Sequence, residues 1–216
     1  VRPTEEGLVD VPQAVLCDLG GVVIRIDPDR IRRRWAVRSH LPAGEVHAAY
    51  PDAAYEAFER DELSADQYLA HVRERLQLQG DDDELAADFN DLYLGADAAV
   101  VDLLWRLRHR GVRLMALTNT NRLHHQAWSR RFGAELEVFE TIHCSHDLRA
   151  RKPEQAAFER VLDAHGLAPS ATVFIDDLPA HVEAARALGL QGLVFTGATD
   201  LARDLARLGL LDAAGH

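Results

Sequence analysis

Cysteine is scarce in this chain, with two residues in 216, Cys17 and Cys144, and no metal-ligand spacing between them. That scarcity leaves no disulfide framework to hold a fold together, and Cys17 falls in an apolar run. The expectation is therefore reduced thiols in a cytoplasmic protein. Cationic charge is also short: Asp and Glu number 35 against 24 Lys and Arg, a formal net charge of -11. Such a balance argues against nucleic acid or an anionic membrane as the main partner. No apolar stretch is long enough to span a membrane. The first residues, VRPTEEGLVDVP, lack the basic start and apolar core of a secretion signal and read as a loose tail over residues 1 to 12. Internal repeats and low-complexity linkers are missing too. The length suits one sizeable α/β domain, or a core with a smaller inserted domain. Any anionic substrate then has to be held by local positive groups or a metal.

What is present is organised around Ala14 to Ile24, AVLCDLGGVVI. An apolar run rises straight into Asp18, and Gly20-Gly21 follow before apolar character resumes. A run of this kind reads as a strand buried on both faces, as in a parallel sheet, whose C-terminal end is where open α/β sheets bind ligands. Asp18 is the first candidate for chemistry, with a turn aspartate before Gly-Gly as the plain alternative.

Val22 to Ile26 reads as a short extended flap, ended by Asp27-Pro28-Asp29. From Arg30 to about Leu94 the chain shows short helical patterns with polar joints and no convincing strand. There Ser64 to Gln67 fits a capping box, the acidic run Asp81 to Glu84 fits a helix start, and Trp35, Tyr50, Tyr55, Phe58, Tyr68 and Leu69 are placed to hold a small bundle. From Asp97 onward helices and strands alternate: helix 97–110, strand 112–117, helix 121–132, strand 138–142, helix 153–165, strand 172–175, helix 179–188, strand 192–196 and a helix from about 199. The fold class is α/β: a Rossmann-like parallel sheet with helices on both faces and an inserted helical domain. The expected division is 1–29 with 95–216 as core and 30–94 as the insert.

In such a sheet the residues just after each strand gather at one edge. Those positions hold Asp18, Thr118-Asn119, Arg151-Lys152-Pro153 and Asp176-Asp177. Each has a plain alternative: a helix cap for Thr118 or Asn119, a solvated loop lysine for Lys152, a turn for the acidic pair. Together they describe a site. Like charges about 4 Å apart repel by about 4 kcal/mol at an effective dielectric near 20, so three converging carboxylates call for a cation or protons. Oxygen-only ligands favour Mg2+.

At this point the sequence resembles the haloacid dehalogenase superfamily of aspartate-nucleophile phosphotransferases. The resemblance rests on the strand into Asp18 with Gly21 three residues on, Thr118 closing a strand, Lys152 in RKPE, and VFIDD followed by VEAARALG. More narrowly, LGGVV, TNTNRLH, SHDLRARKPE and FERDELSADQY look like the subgroup of bacterial α-D-glucose-1-phosphate phosphatases and the phosphatase domain of mammalian epoxide hydrolases. The resemblance implies a Mg2+-dependent phosphatase of a small phosphorylated metabolite, a sugar phosphate being one candidate. Asp18 would be the nucleophile and, with the Gly20 carbonyl, Asp176 and Asp177, would ligate Mg2+. Thr118 and the amide of Asn119 would hold phosphoryl oxygens, and Lys152 would neutralise nucleophile and phosphoryl group. Pro153 would open a helix while keeping Lys152 extended. The residues at 30–94 would be the family's cap.

Two positions depart from the family pattern. Gly20 stands where most members carry an acid/base aspartate, a group that typically supplies about 10² to 10⁴ in rate. His124, His125 or a cap residue such as Glu62 is a candidate substitute, with a structural histidine as the plain alternative for the first two, and a substrate with an easy leaving group such as an acyl phosphate would need none. Candidates for leaving-group contacts are Tyr50, Tyr55, Phe58, Glu59 and Glu62. His181 stands where many relatives have Asp or Asn, and is expected on a helix face, hydrogen-bonded to the acidic pair. The competing functions are a 2-haloacid dehalogenase using Asp18 without metal, a phosphate-binding domain that has lost turnover, and a phosphomutase. The pair Asp176-Asp177 speaks against the dehalogenase, and Gly20 against the mutase.

Overall fold

The structure, a computed structural model, describes residues 12–212. The expected N-terminal tail lies outside these apart from Pro12.

Three apolar runs become the centre of a five-stranded sheet. β1 (Ala14–Cys17) is wholly buried, and it pairs in parallel with β4 (Arg113–Thr118) on one side and β6 (Thr172–Asp176) on the other. β5 (Thr141–Cys144) and β7 (Gln191–Val194) complete the order β5-β4-β1-β6-β7, all parallel. Alternation along β1 sends Val15 and Cys17 into one apolar layer and Ala14 and Leu16 into the other. Cys17 is thus a packing residue at full burial. The first layer is closed by α6 (Ala98–His109), α7 (Arg122–Leu136) and α11 (Ala198–Arg207), the second by α9 (Gln155–His165) and α10 (Pro179–Ala187). Each large side chain buried this way stabilises by about 1.5 to 3 kcal/mol relative to exposure.

The strand after β1 is shorter than the expected flap. β2 (Ile24–Ile26) pairs antiparallel with β3 (Tyr93–Ala96), a strand that the sequence reading placed at the end of a helical block. β3 is short and carries Gly95, so its pairing with β2 is a tertiary fact rather than a local pattern. Between β2 and β3 lie five helices: α1 (Asp29–Arg38), α2 (Ala43–Ala49), α3 (Ala53–Glu59), α4 (Ala65–Leu76) and α5 (Asp82–Phe89). α4 opens on the capping box of Ser64 and Gln67, and α5 on that of Asp81 and Glu84. Phe89 is the hub of the bundle, stacked on Trp35 at 5.5 Å and in contact with Tyr50, Tyr55 and Tyr68.

Other boundaries move by a few residues. β5 starts at Thr141, three residues later than expected, and runs into the single turn α8 (Ser145–Leu148). α7 continues past Gly133 to Leu136, with non-helical backbone at Phe132 marking where the expected stop falls. α9 opens at Gln155 rather than Pro153, which leaves Lys152 and Pro153 in the preceding loop. Among the described residues no helix is long and apolar enough to cross a membrane.

Candidate active site

β1 is the sheet's central strand, and the chain leaves it first towards β4 and β5, then returns to the other side for β6 and β7. Asp18 therefore stands at the point where the strand order reverses, which is where an α/β sheet opens a crevice. The Asp18 backbone N–H donates to Ile175 O at 2.8 Å, and Leu19 N donates to Asp18 Oδ1 at 2.8 Å. After it the chain turns sharply, with Val23 and Ile24 N–H both donating to Leu19 O. Gly21 has φ +84°, and a Cβ there would collide with the Asp177 carboxylate. Both facts require glycine at this position.

Lys152 is fully buried, and its ammonium lies 2.9 Å from Asp18 Oδ1 and 2.6 Å from Asp176 Oδ2. Burial alone would lower its pKa, but the two carboxylates outweigh that and raise it, so Lys152 is a cation. Asp176 also accepts from Leu178 N at 2.9 Å and faces His181 Nδ1 at 3.0 and 3.1 Å. Burial would lift Asp176, yet His181 and Lys152 hold it below the ordinary carboxylate range. Asp18 moves the other way: burial first, then Asp176, push it up to about 6 against the pull of Lys152. Asp177 is raised by burial and by Asp176.

Asp18, Asp177 and His181 line a cleft of about 600 Å³ whose floor also includes Gly20, Thr118 and Asn119. Its upper wall comes from the flap through Arg25 and from the helical block through Tyr55 and Glu59, with Arg151 beside them. Arg151 Nε donates to Glu59 Oε2 at 2.8 Å, and burial lifts Glu59 above its usual range while Arg151 pulls it back down. Further ion pairs join the end of α3 to the core around the mouth: Arg60 to Glu154 at 2.9 Å and Arg122 to Asp61 at 2.7 Å.

Of the expected site residues, Asp18, Gly20, Thr118, Asn119 and Asp177 meet in the cleft, and Lys152 and Asp176 lie directly behind Asp18. Asn119 has a different task from the one expected of its side chain. Its Oδ1 accepts from Lys152 N and its Nδ2 donates to Lys152 O, both at 2.8 Å, so the side-chain amide clamps the lysine backbone and the main-chain N–H is the donor assigned to a ligand. The cap of α7 is Asn121, whose side chain accepts from His124 N at 3.0 Å. Neither Thr118 nor Asn119 is the helix cap.

Neither histidine expected for acid/base work lines this cleft, although His124 borders a smaller adjoining cavity of about 70 Å³ that Gly20, Thr118 and Asn119 also line. His124 is buried, stacks on Phe89 at 4.0 Å, and bonds Asn90 Oδ1 through Nδ1 at 2.8 Å. Burial pulls its pKa down to about 3, so it stays neutral. His125 stacks on Trp128 at 4.6 Å and faces His146. Glu62 is exposed and paired with Arg60. Tyr50 and Phe58 are buried in the bundle, leaving Tyr55 and Glu59 as the cleft-lining members of that set. Sequence reasoning missed Arg25 as part of the wall; it placed Arg151 at the sheet edge beside Lys152 but gave it no role of its own.

One oxygen each from Asp18, Asp176 and Asp177 lies within 4.8 Å of the others. With one ammonium against three carboxylates, the group is short of positive charge. Hard oxygen donors, an absent Cβ at Gly21 that makes room for Asp177, and unbalanced negative charge all fit a small divalent cation.

The sequence matches the family described as haloacid dehalogenase-like hydrolase over residues 12–189. It is 28% identical over 199 residues to a sesquiterpene phosphatase of Aspergillus oryzae, covering 91% of this chain and 96% of that protein. It is 30% identical over 113 residues to a phosphatase of Mycobacterium tuberculosis, covering 50% of this chain and 52% of that one. Among solved structures, a HAD family enzyme of Bacteroides thetaiotaomicron in a magnesium complex superposes with a TM-score of 0.76 at 25% identity, over 86% of this chain and 94% of that one. A match of this extent, laid over a parallel sheet whose central strand ends in Asp18, makes the chain a member of the haloacid dehalogenase-like hydrolases.

Proposed function

We propose that the protein is a Mg2+-dependent phosphatase of a small phosphorylated metabolite that works through an aspartyl-phosphate on Asp18. The observation that carries the reading is the division of labour within that carboxylate: Leu19 N–H and the Lys152 ammonium both hold Oδ1, which leaves Oδ2 as the attacking oxygen. Attack on phosphorus breaks the bond to the ester oxygen, and water then attacks the aspartyl-phosphate to release inorganic phosphate and restore the carboxylate. Thr118 and the Asn119 main-chain N–H hold phosphoryl oxygens, while Lys152 keeps Asp18 oriented and offsets charge. Asp18, the Gly20 carbonyl and Asp177 would hold Mg2+, with Asp176, already engaged by Lys152 and His181, behind them. The ion would offset the negative charge of the phosphoryl group and of the carboxylates. Supporting this are the phosphatase names of two relatives and the magnesium complex of a structural relative.

In this reading residues 30–94 act as a cap. Gly20 cannot move a proton, and the cap supplies Glu59, a buried carboxyl on the cleft wall, in its place. The metal-free dehalogenase reading leaves three crowded carboxylates without a purpose. The test is phosphate release from a panel of sugar phosphates, acyl phosphates, flavin mononucleotide and an aryl phosphate, with Mg2+ or with chelator, and a haloacid as control. Metal-dependent release from any of the phosphates supports the reading. Halide release that ignores chelator would replace it.

A further inference from the structure

Four side chains that the proposed reaction does not use converge beside the Thr118–Asn121 loop. His125 comes from the first turn of α7, Cys144 ends β5, and His146 and Asp147 follow in α8. One ligand atom from each lies within 4.8 Å of all the others. His125 Nδ1 is 3.2 Å from His146 Nε2, Cys144 Sγ is 3.7 Å from His125 Nδ1, and His146 Nε2 is 3.5 Å from Asp147 Oδ1. A tetrahedral zinc ion, with bonds of about 2.0 to 2.1 Å to nitrogen and about 2.3 Å to sulfur, sets its ligands about 3.3 to 3.6 Å apart. The three separations agree with such edges to within a few tenths of an ångström.

We propose that His125, Cys144, His146 and Asp147 form a zinc-binding site separate from the carboxylate cluster at Asp18. The donor set is two imidazoles, a thiolate and one carboxylate, the borderline-soft mixture that selects zinc over magnesium, whereas the Asp18 cluster offers oxygen alone. The rings are already oriented. His146 Nδ1 lies 3.3 Å from Thr120 O, an acceptor only, so that nitrogen carries the proton and Nε2 presents its lone pair to the centre of the cluster. Trp128 stacks on His125 at an interplanar angle of 18° and fixes its ring. Cys144 and His146 are buried and Asp147 is exposed, which gives the ion a way in past the Asp147 carboxylate.

Four protein ligands close a tetrahedral site, so its role is structural. The ion ties the start of α7 to β5 and α8, and through them to the phosphate-side loop. Ser145 Oγ accepts from Thr120 N at 2.9 Å and donates to Thr120 O at 2.8 Å, so this loop already rests on α8. On binding, the Cys144 thiol gives its proton to solvent and the thiolate takes the metal. The sequence hid the site because its cysteine has no second cysteine at ligand spacing, and the histidines that complete it come from separate elements.

The test uses the full chain, stripped with chelator and dialysed against Zn2+ or Co2+ in excess Mg2+, which saturates the oxygen cluster. The expected results are one tightly held Zn2+ per chain, a higher melting temperature with Zn2+, and a thiolate-to-cobalt charge-transfer band with strong tetrahedral d–d absorption for Co2+. Asp18→Asn keeps all three. Cys144→Ser abolishes the charge-transfer band, and Cys144→Ser with His146→Gln weakens zinc binding at least about 100-fold, with far-UV circular dichroism reporting whether these variants fold. The proposal is overturned if the folded native chain takes up no zinc at micromolar free concentration, or binds cobalt without the charge-transfer band. It also fails if Asp18→Asn loses the ion while the double variant retains it.

Discussion

Lys152 touches two carboxylates at once, and that makes it the residue on which the site's electrostatics turn. Removing its charge leaves Asp18 and Asp176 buried beside each other without a cation. We expect Lys152→Met to lower stability by about 3 to 5 kcal/mol at pH 7, as breaking a buried pair from one side usually does. Turnover is lost with it. Denaturant unfolding against pH checks the cause: the deficit shrinks in acid, where the carboxylates take protons, whereas a simple packing defect would be independent of pH. Glu59 poses a different question at the same scale. If it moves the proton that Gly20 cannot, Glu59→Gln lowers kcat by about 10² to 10⁴ and removes one limb of the pH–rate profile for substrates with poor leaving groups. An activated aryl phosphate, which needs no acid, loses much less in its first step. Equal losses on both substrates would assign Glu59 to holding Arg151.

The loop from Thr118 to Asn121 divides its tasks among neighbours. Asn119 clamps Lys152 through two hydrogen bonds, Thr120 rests on Ser145, and Asn121 caps α7. Asn119→Ala is expected to cost about 1 to 3 kcal/mol, the range for leaving buried backbone groups unpaired. It also lowers kcat more than it raises KM, because the displaced group is Lys152, which holds the Asp18 carboxylate and which the proposal gives the task of orienting it. A thermal melt together with steady-state kinetics separates the two effects. This loop also marks how far the sequence could be read. The apolar runs of β1, β4 and β6 and the residues at their ends were legible, because a buried parallel strand is written locally. So was the capping box of Ser64 and Gln67. The Asn119 clamp was not, since its partner lies 33 residues away and an asparagine after a strand looks the same whether it binds ligand or backbone. β3 was missed for a similar reason: it exists through pairing with β2. His124 looked like a candidate acid only until its contact with Phe89, a residue of the helical block, placed it in the core.

Across the whole molecule that same histidine links stability to pH. In the folded chain burial holds His124 at about 3, against 6.5 for an unperturbed imidazole. The unfolded chain therefore binds a proton that the native chain refuses, so stability falls as pH drops from 6.5 towards 3, with a slope of up to about 1.4 kcal/mol per pH unit from this group. Above 6.5 both states are neutral and His124 contributes no pH dependence. Replacing it with Gln, which does not titrate, is expected to flatten the curve over that window; wild-type and variant curves that stay parallel would contradict the assignment. The aromatic bundle behind it is a stability element in its own right. Phe89→Ala removes the ring shared by Trp35, Tyr68 and His124 and is expected to cost about 3 to 5 kcal/mol by urea titration.

The central claim is that Asp18 is the nucleophile of a metal-dependent phosphatase. The most direct measurement is acid-quenched turnover of a radiolabelled phosphate ester by the native chain and by Asp18→Asn, with and without Mg2+. The account predicts Mg2+-dependent release of phosphate by the native chain, with any protein-bound label alkali-labile and on the Asp18 peptide. It predicts a loss of at least about 10³-fold in the variant. Undiminished Mg2+-dependent turnover by Asp18→Asn, or label on another residue, would contradict it.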